Sequence, residues 1–161
     1  MRTTVIFDIG GVLIDWDPRH LYRKLFDDED AMEHFLATVC TPEWNAQQDE
    51  GRTVAEGTAL LTERFPEHAA LILAYYDRFG EMMNGPLEET VSLLGELRGA
   101  GTPLYALSNW SRETFPLARE RFEFLDWFRG IVISGEEGVK KPDPRIYQLL
   151  LHRYRIDPGA A

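Results

Sequence analysis

The chain is short of cysteine, of basic residues and of long apolar runs. Its single cysteine, Cys40, cannot form a disulfide within the chain. That fits a reducing compartment, where a lone thiol is more often a small core residue than a nucleophile. Lysine and arginine total 17 against 27 acids, a formal net charge of -10. Such acidity argues against a nucleic-acid partner, which selects for a basic face. No apolar run approaches the roughly 20 residues of a membrane span. The N-terminus lacks the basic start and long apolar core of a secretory signal, because Asp8 interrupts its apolar run. Repeats and low-complexity segments are also lacking. The expectation from these absences is a cytoplasmic protein with no membrane and no nucleic-acid partner.

What is present is ordinary for a globular chain. It has 161 residues, 44% apolar and 27% charged, enough for one good core or two small domains. The acidity is uneven. Residues 16 to 85 carry 14 Asp/Glu and 6 Lys/Arg, a net of -8, read most simply as solvated helix faces.

"VIFDIGG" (residues 5 to 11) is a short β-branched and aromatic run closed by glycines. It reads as a buried parallel strand ending near Asp8. Residues 19 to 83 show no convincing strand. "HLYRKLF", "AMEHFLATV", "TVAEGTALLTERF" and "HAALILAYYDRFGEMM" have apolar residues at helical spacing, punctuated by Pro42, Gly51 and Pro66. From Pro86 the pattern alternates. A helix over "LEETVSLLGELRGAG" leads to a strand over "TPLYALSN", then a helix over "SRETFPLARERF". A third strand, "GIVISGEEG", precedes a helix over "DPRIYQLLLHRY" with Pro144 in its first turn. Alternation of this kind implies right-handed crossovers and a parallel sheet.

Three polar groups fall at or beyond the ends of these strands: Asp8, Ser108 and Lys141. Ligands of open α/β sheets collect at that edge. A carboxylate there can be a nucleophile or a metal ligand. A hydroxyl can hydrogen-bond an anion, and an ammonium can neutralise a transferring phosphoryl. Each also has a plainer role. Asp8 could close a turn, Ser108-Asn109 could cap the next helix, and Lys140 and Lys141 could be solvated loop charges.

Taken together, "VIFDIGGVLID", "LYALSN" and "GVKKPDPRIY" resemble three motifs of the haloacid dehalogenase-like (HAD) hydrolase superfamily, in the family's order. The helical stretch between the first two resembles its helical cap. The resemblance covers essentially the whole chain. It implies an α/β fold with a Rossmann-like parallel sheet, residues 1-15 and 86-161 forming the core and 16-85 the cap. It implies Asp8 as nucleophile, Ser108 with the backbone of Asn109 and Gly11 around the phosphoryl group, and Lys141 as the lysine that holds both. Lys140 is the weaker candidate for that role. It also implies Mg²⁺ on Asp8, on the Gly10 carbonyl and on a fourth-motif aspartate, so that the site is expected to be incomplete without that motif, and a small phosphorylated metabolite as substrate. Trp16 and His20 are candidates for substrate contact. Packing is the simpler role for them and for Trp44 and Trp110.

The chain departs from the family pattern twice. The phosphatases usually carry an aspartate two residues after the nucleophile as general acid and base, where Gly10 stands here. A branch of sugar-phosphate phosphatases resembles this sequence in having "FD-x-G". Water, a good leaving group, or Asp15 or Asp17 could replace the missing acid. Second, the family pattern continues past "IDPGAA" into an apolar strand ending in a pair of aspartates, absent here. The expectation is a core lacking its C-terminal strands, with the edge of the first strand open to pairing with another chain. Two further readings stay open. Metal-independent 2-haloacid dehalogenases also lack the second aspartate, and Tyr147 fits their spacing from the lysine, although they usually carry a bulky aromatic at Gly10. The other is a binding protein of the same fold with impaired catalysis. A receiver-type signalling module fits less well, since its acidic pair precedes the acceptor.

Overall fold

A computed structural model of the chain describes residues 3–161. Three short strands form a parallel sheet: β1 (Val5–Phe7), β4 (Leu104–Ser108) and β5 (Gly130–Ile133), in the order β1-β4-β5. Val5 faces Leu104 and Phe7 faces Ala106, while Ser108 faces Ile133. All three strands therefore finish along one edge, with β4 in the centre. The sheet has the α/β, Rossmann-like class expected.

One face of the sheet packs under the helix α9 (Pro144–Tyr154), whose apolar stripe Ile146 and Leu150 is buried against Leu107 and Val132. Asp143 accepts from the Arg145 N–H at 2.9 Å and Pro144 occupies the first turn, so both fix where α9 starts. The other face carries α6 (Glu88–Gly99) and α7 (Phe115–Arg121) in a larger core that includes Phe7, Leu94, Leu104 and Phe115. Fully burying side chains of this size stabilises by about 1.5–3 kcal/mol each.

Between the first two strands of the sheet lies the helical stretch. It holds α1 (Arg19–Tyr22), α2 (Glu29–Thr38), α3 (Pro42–Asp49), α4 (Val54–Arg64) and α5 (Ala69–Asp77). Its interior is aromatic, with Tyr22, Phe35, Trp44 and Tyr75 all buried. The Tyr22 hydroxyl donates to the Leu71 carbonyl at 2.8 Å, and the Trp44 indole to the Gly57 carbonyl at 2.9 Å. Thr53 and Glu56 form a reciprocal capping box at the start of α4.

Two features differ from the sequence expectation. The stretch is joined to the sheet by an antiparallel ribbon, β2 (Ile14–Trp16) with β3 (Met83–Pro86), which the sequence reading placed in loop and helix. Asp15 pairs with Gly85, so the ribbon straddles the boundaries drawn at residues 15 and 86. The third parallel strand also stops at Ile133, and Ser134–Glu137 turns as a short helix, α8, ended by left-handed Gly138. Among the described residues, no helix is long and apolar enough to cross a membrane.

Candidate active site

Asp8 directly follows β1, at the edge where the sheet's strands finish. One of its oxygens, Oδ1, accepts from the Ile9 N–H at 2.7 Å, and Oδ2 lies 2.8 Å from the Lys141 ammonium. The carboxylate is thereby aimed by its own chain and by a cation. Lys141 is itself held in three ways. Its ammonium donates to the Leu107 carbonyl at 2.9 Å, and its N–H donates to Asn109 Oδ1 at 2.8 Å. Its carbonyl accepts from Asn109 Nδ2 at 3.0 Å. Asn109 thus clamps the Lys141 backbone, a role the sequence did not suggest for its side chain.

Asp8, Gly10, Ser108, Asn109 and Lys141 line one cavity of about 240 Å³. Ser108 ends β4 and is 1% exposed. No hydrogen bond among the described residues engages its hydroxyl or the Gly10 carbonyl, and both residues line this space. The cavity therefore collects a carboxylate, an ammonium and a hydroxyl-bearing residue, with Gly10 beside them, around a volume ample enough to admit a phosphoryl group. Its walls are aromatic: Trp16, Phe79 and Trp110, with Phe79 6.2 Å from each of the other two rings. The Trp16 Nε1 is buried with no hydrogen-bond partner among the described residues. A Cβ added at Gly10 would meet the Trp110 ring at 3.6 Å, ordinary contact. Glycine at 10 is thus not enforced by crowding.

Two expected residues fall outside this group. Gly11 sits in the turn after the motif with φ +73°, where glycine is favoured, and does not line the cavity. His20, on α1, is within 3.0 Å of the Asp15 carboxylate and does not line it either. Asp15 also accepts from Asn84 at 3.0 Å, and the two partners hold its carboxyl below its ordinary range. Asp17 accepts from the Arg19 N–H at 2.9 Å and pairs with its guanidinium. Lys140 pairs with Glu50, which leaves Lys141 as the lysine at the nucleophile.

The sequence reading missed α3. Its start was readable as Thr41-Pro42, a capping hydroxyl with proline in the first turn: Thr41 Oγ1 accepts from the Trp44 N–H at 3.1 Å. This helix brings Asn45 and Asp49 to the wall of the cavity. Its last residue is anchored to the core, since the buried Ser134 hydroxyl donates to the Asp49 carbonyl and accepts from the Trp110 N–H at 3.0 Å. The Asp49 carboxyl accepts from Asn45 Nδ2 at 3.2 Å, and the Ser111 main chain lies near it. Burial nonetheless pushes it up to about 7, against the lowering effects of the Ser111 N–H and of Lys140.

A second cavity of about 710 Å³ adjoins the first and shares Trp16, Asn45 and Asp49 with it. Leu36, Cys40 and Tyr75, all buried, form its apolar floor, while Arg19 and Glu33 pair at its exposed rim.

Comparison with known proteins places the chain in a family. Residues 3–161 match the family model of haloacid dehalogenase-like hydrolases. The sesquiterpene phosphatase astK of Aspergillus oryzae is 30% identical over 157 residues, covering 97% of this chain and 75% of that protein. The HAD family enzyme BT-2542 of Bacteroides thetaiotaomicron superposes with a TM-score of 0.72 at 22% identity, over 99% of this chain and 81% of its own. The same enzyme in complex with magnesium and inorganic phosphate superposes at 0.70 and 21% identity, over 99% and 82%. L-2-haloacid dehalogenase of Xanthobacter autotrophicus, with chloropropionic acid covalently bound, superposes at 0.62 and 18% identity, over 98% and 67%. These structural likenesses speak to the fold. The match over nearly every residue, with the curated relative beside it, makes this chain a member of the haloacid dehalogenase-like hydrolase family.

Proposed function

We propose that the protein is a phosphatase of small organic phosphomonoesters, using Asp8 as nucleophile, with residues 16–85 acting as a cap over the reaction site. The observation that carries this reading is the Asp8 carboxylate at 2.8 Å from the Lys141 ammonium, with the unengaged Ser108 hydroxyl in the same cavity. Asp8 attacks phosphorus and the bond to the leaving oxygen breaks, leaving an aspartyl-phosphate. Water then attacks the same phosphorus, inorganic phosphate leaves, and the Asp8 carboxylate returns. Lys141 offsets the charge on both the nucleophile and the transferring group, and Ser108 donates to a phosphoryl oxygen.

The donor set fits Mg²⁺. Asp8 and Gly10 line the cavity and have hard oxygens to offer, and no group of three or more His, Cys, Asp or Glu suited to a metal occurs among the described residues. An ion that keeps several waters and takes one or two carboxylates with substrate phosphate suits so sparse a set. When bound, Mg²⁺ supplies charge neutralisation at the phosphoryl group.

The body of the substrate extends into the second cavity, whose buried apolar floor favours an apolar chain over a sugar. The activity in the name of the Aspergillus relative, a sesquiterpene phosphatase, supports the same choice. Two features speak against dehalogenation. Glycine stands where those enzymes carry an aromatic, and Tyr147 is 41% exposed and does not line the nucleophile cavity.

The test is phosphate release from prenyl and sugar monophosphates with Mg²⁺ and with a chelator. The expected result is Mg²⁺-dependent release, faster from the prenyl ester. Halide release from a 2-chloro acid without metal would overturn the reading, as would tight binding of phosphate esters with no turnover.

A further inference from the structure

Gly10 leaves the core without a side-chain carboxyl two residues after the nucleophile, so the proton for the leaving alcohol must come from elsewhere. The acids nearest in sequence do not supply it. Asp15 is bound by His20 and Asn84, and Asp17 by Arg19. Neither lines the nucleophile cavity. Among the described residues that do, Asp8 and Asp49 are the acids. Asp49 enters the lining from α3, and its main chain is fixed to the core through Ser134, directly after β5.

We propose that Asp49 is the catalytic acid and base of the reaction, supplied by the cap in place of the residue missing at Gly10. This rests on the phosphatase reading above. As Asp8 attacks phosphorus, the P–O bond to the alcohol breaks and the Asp49 carboxyl gives its proton to the departing oxygen, releasing the neutral alcohol. The Asp49 carboxylate then takes a proton from the water that attacks the aspartyl-phosphate. Phosphate leaves, Asp8 is restored, and Asp49 is protonated again.

The surroundings suit both roles. Asn45, which donates to the Asp49 carboxyl, is itself oriented by the Tyr76 hydroxyl at 2.8 Å, and that hydroxyl accepts from Gln48 at 2.8 Å. A chain of hydrogen bonds within the cap thus sets the carboxyl's direction. The charged and titratable groups around it are Lys140, Tyr75 and Tyr76, with Asp8 and Lys141 lining the same cavity. Burial outweighs them and keeps a proton on Asp49 near neutral pH, where a donor must hold one.

The test compares the whole chain with its Asp49→Asn variant, with Mg²⁺, on two esters. The leaving group of 4-nitrophenyl phosphate needs no proton, and that of an alkyl phosphate needs one. The expected result is a fall in kcat/KM of about 10²-fold or more for the alkyl ester, the size of typical acid–base catalysis. The nitrophenyl ester should lose no more than a few fold. With the alkyl ester, the decline in kcat/KM of the unaltered protein above neutral pH should vanish in the variant. Equal losses on the two esters, whether or not the variant melts earlier, would overturn the proposal, as would no loss on either. If the unaltered protein releases phosphate from neither ester, the phosphatase reading fails instead.

Discussion

Replacing Asn109 with alanine removes both hydrogen bonds that clamp the Lys141 backbone, at 2.8 and 3.0 Å. A neutral hydrogen bond contributes a net of about 0.5–1.5 kcal/mol, so the pair contributes about 1–3 kcal/mol. In a chain of this size 1 kcal/mol moves the melting temperature by about 2–4 °C, and the middle of that range predicts a fall of about 4–8 °C. Turnover falls as well, because the Lys141 ammonium reaches Asp8 only while its backbone is held. A displacement of about 1 Å at a reacting group lowers a rate by up to about 10²-fold. The assay is a melt and a phosphate-release rate for Asn109→Ala, Lys141→Ala and the double variant. The clamp holds main-chain atoms, so Asn109→Ala lowers the melting temperature equally in both backgrounds. Its effect on turnover acts through the ammonium, so it nearly disappears when Lys141 is already alanine. A melting temperature within about 1 °C of the unaltered protein, or rate losses that multiply in the double variant, would refute the reasoning.

Neighbouring lysines part company in rate assays: Lys141→Met lowers kcat/KM by about 10²–10³-fold, while Lys140→Ala, which loses its pair with Glu50 and a charge near Asp49, changes it by a few fold at most. Asp49 makes stability depend on pH. Its carboxyl titrates near 3.8 when unfolded and about 7 when folded, so the stability its proton confers is complete at low pH. That stability is lost as pH rises from about 4 to about 7, by at most roughly 1.4 kcal/mol per pH unit. Urea unfolding at pH 5 and pH 8 should show this loss, and Asp49→Asn should flatten it. Burial pushes the Cys40 thiol up to about 12, so a thiol reagent should modify it only in denaturant; fast modification of the native protein would contradict its placement.

How much of this was readable in the sequence depended on whether the signal was local. Asp8, Ser108 and Lys141 each follow a short apolar run and a turn, and strand ends of that kind are marked by neighbouring residues. Their convergence then follows from a parallel sheet. The ribbon was hidden because Ile14–Trp16 has a central acid, and Met83–Pro86 contains glycine and proline, poor strand formers. It exists because Ile14 and Met83 are buried together in a core built from distant parts of the chain. Asp49 was hidden for a similar reason. Most residues of α3 are polar, so the helix shows little periodicity, and its docking, through Trp44 in the interior and Ser134 at the sheet, brings Asp49 to the cavity. His20 is a candidate for substrate contact on sequence, with packing the simpler role; the structure places its ring against Asp15 and outside the nucleophile cavity.

The central claim is that Asp8 carries the phosphoryl group during turnover. Borohydride added during steady-state hydrolysis reduces an acyl phosphate to an alcohol, converting the side chain of residue 8 to that of homoserine. Peptide mass spectrometry should find this change at residue 8 and at no other acid, and Asp8→Asn should abolish both the change and phosphate release. Continued phosphate release with Asp8 unmodified, or reduction at a different carboxylate, would contradict the account.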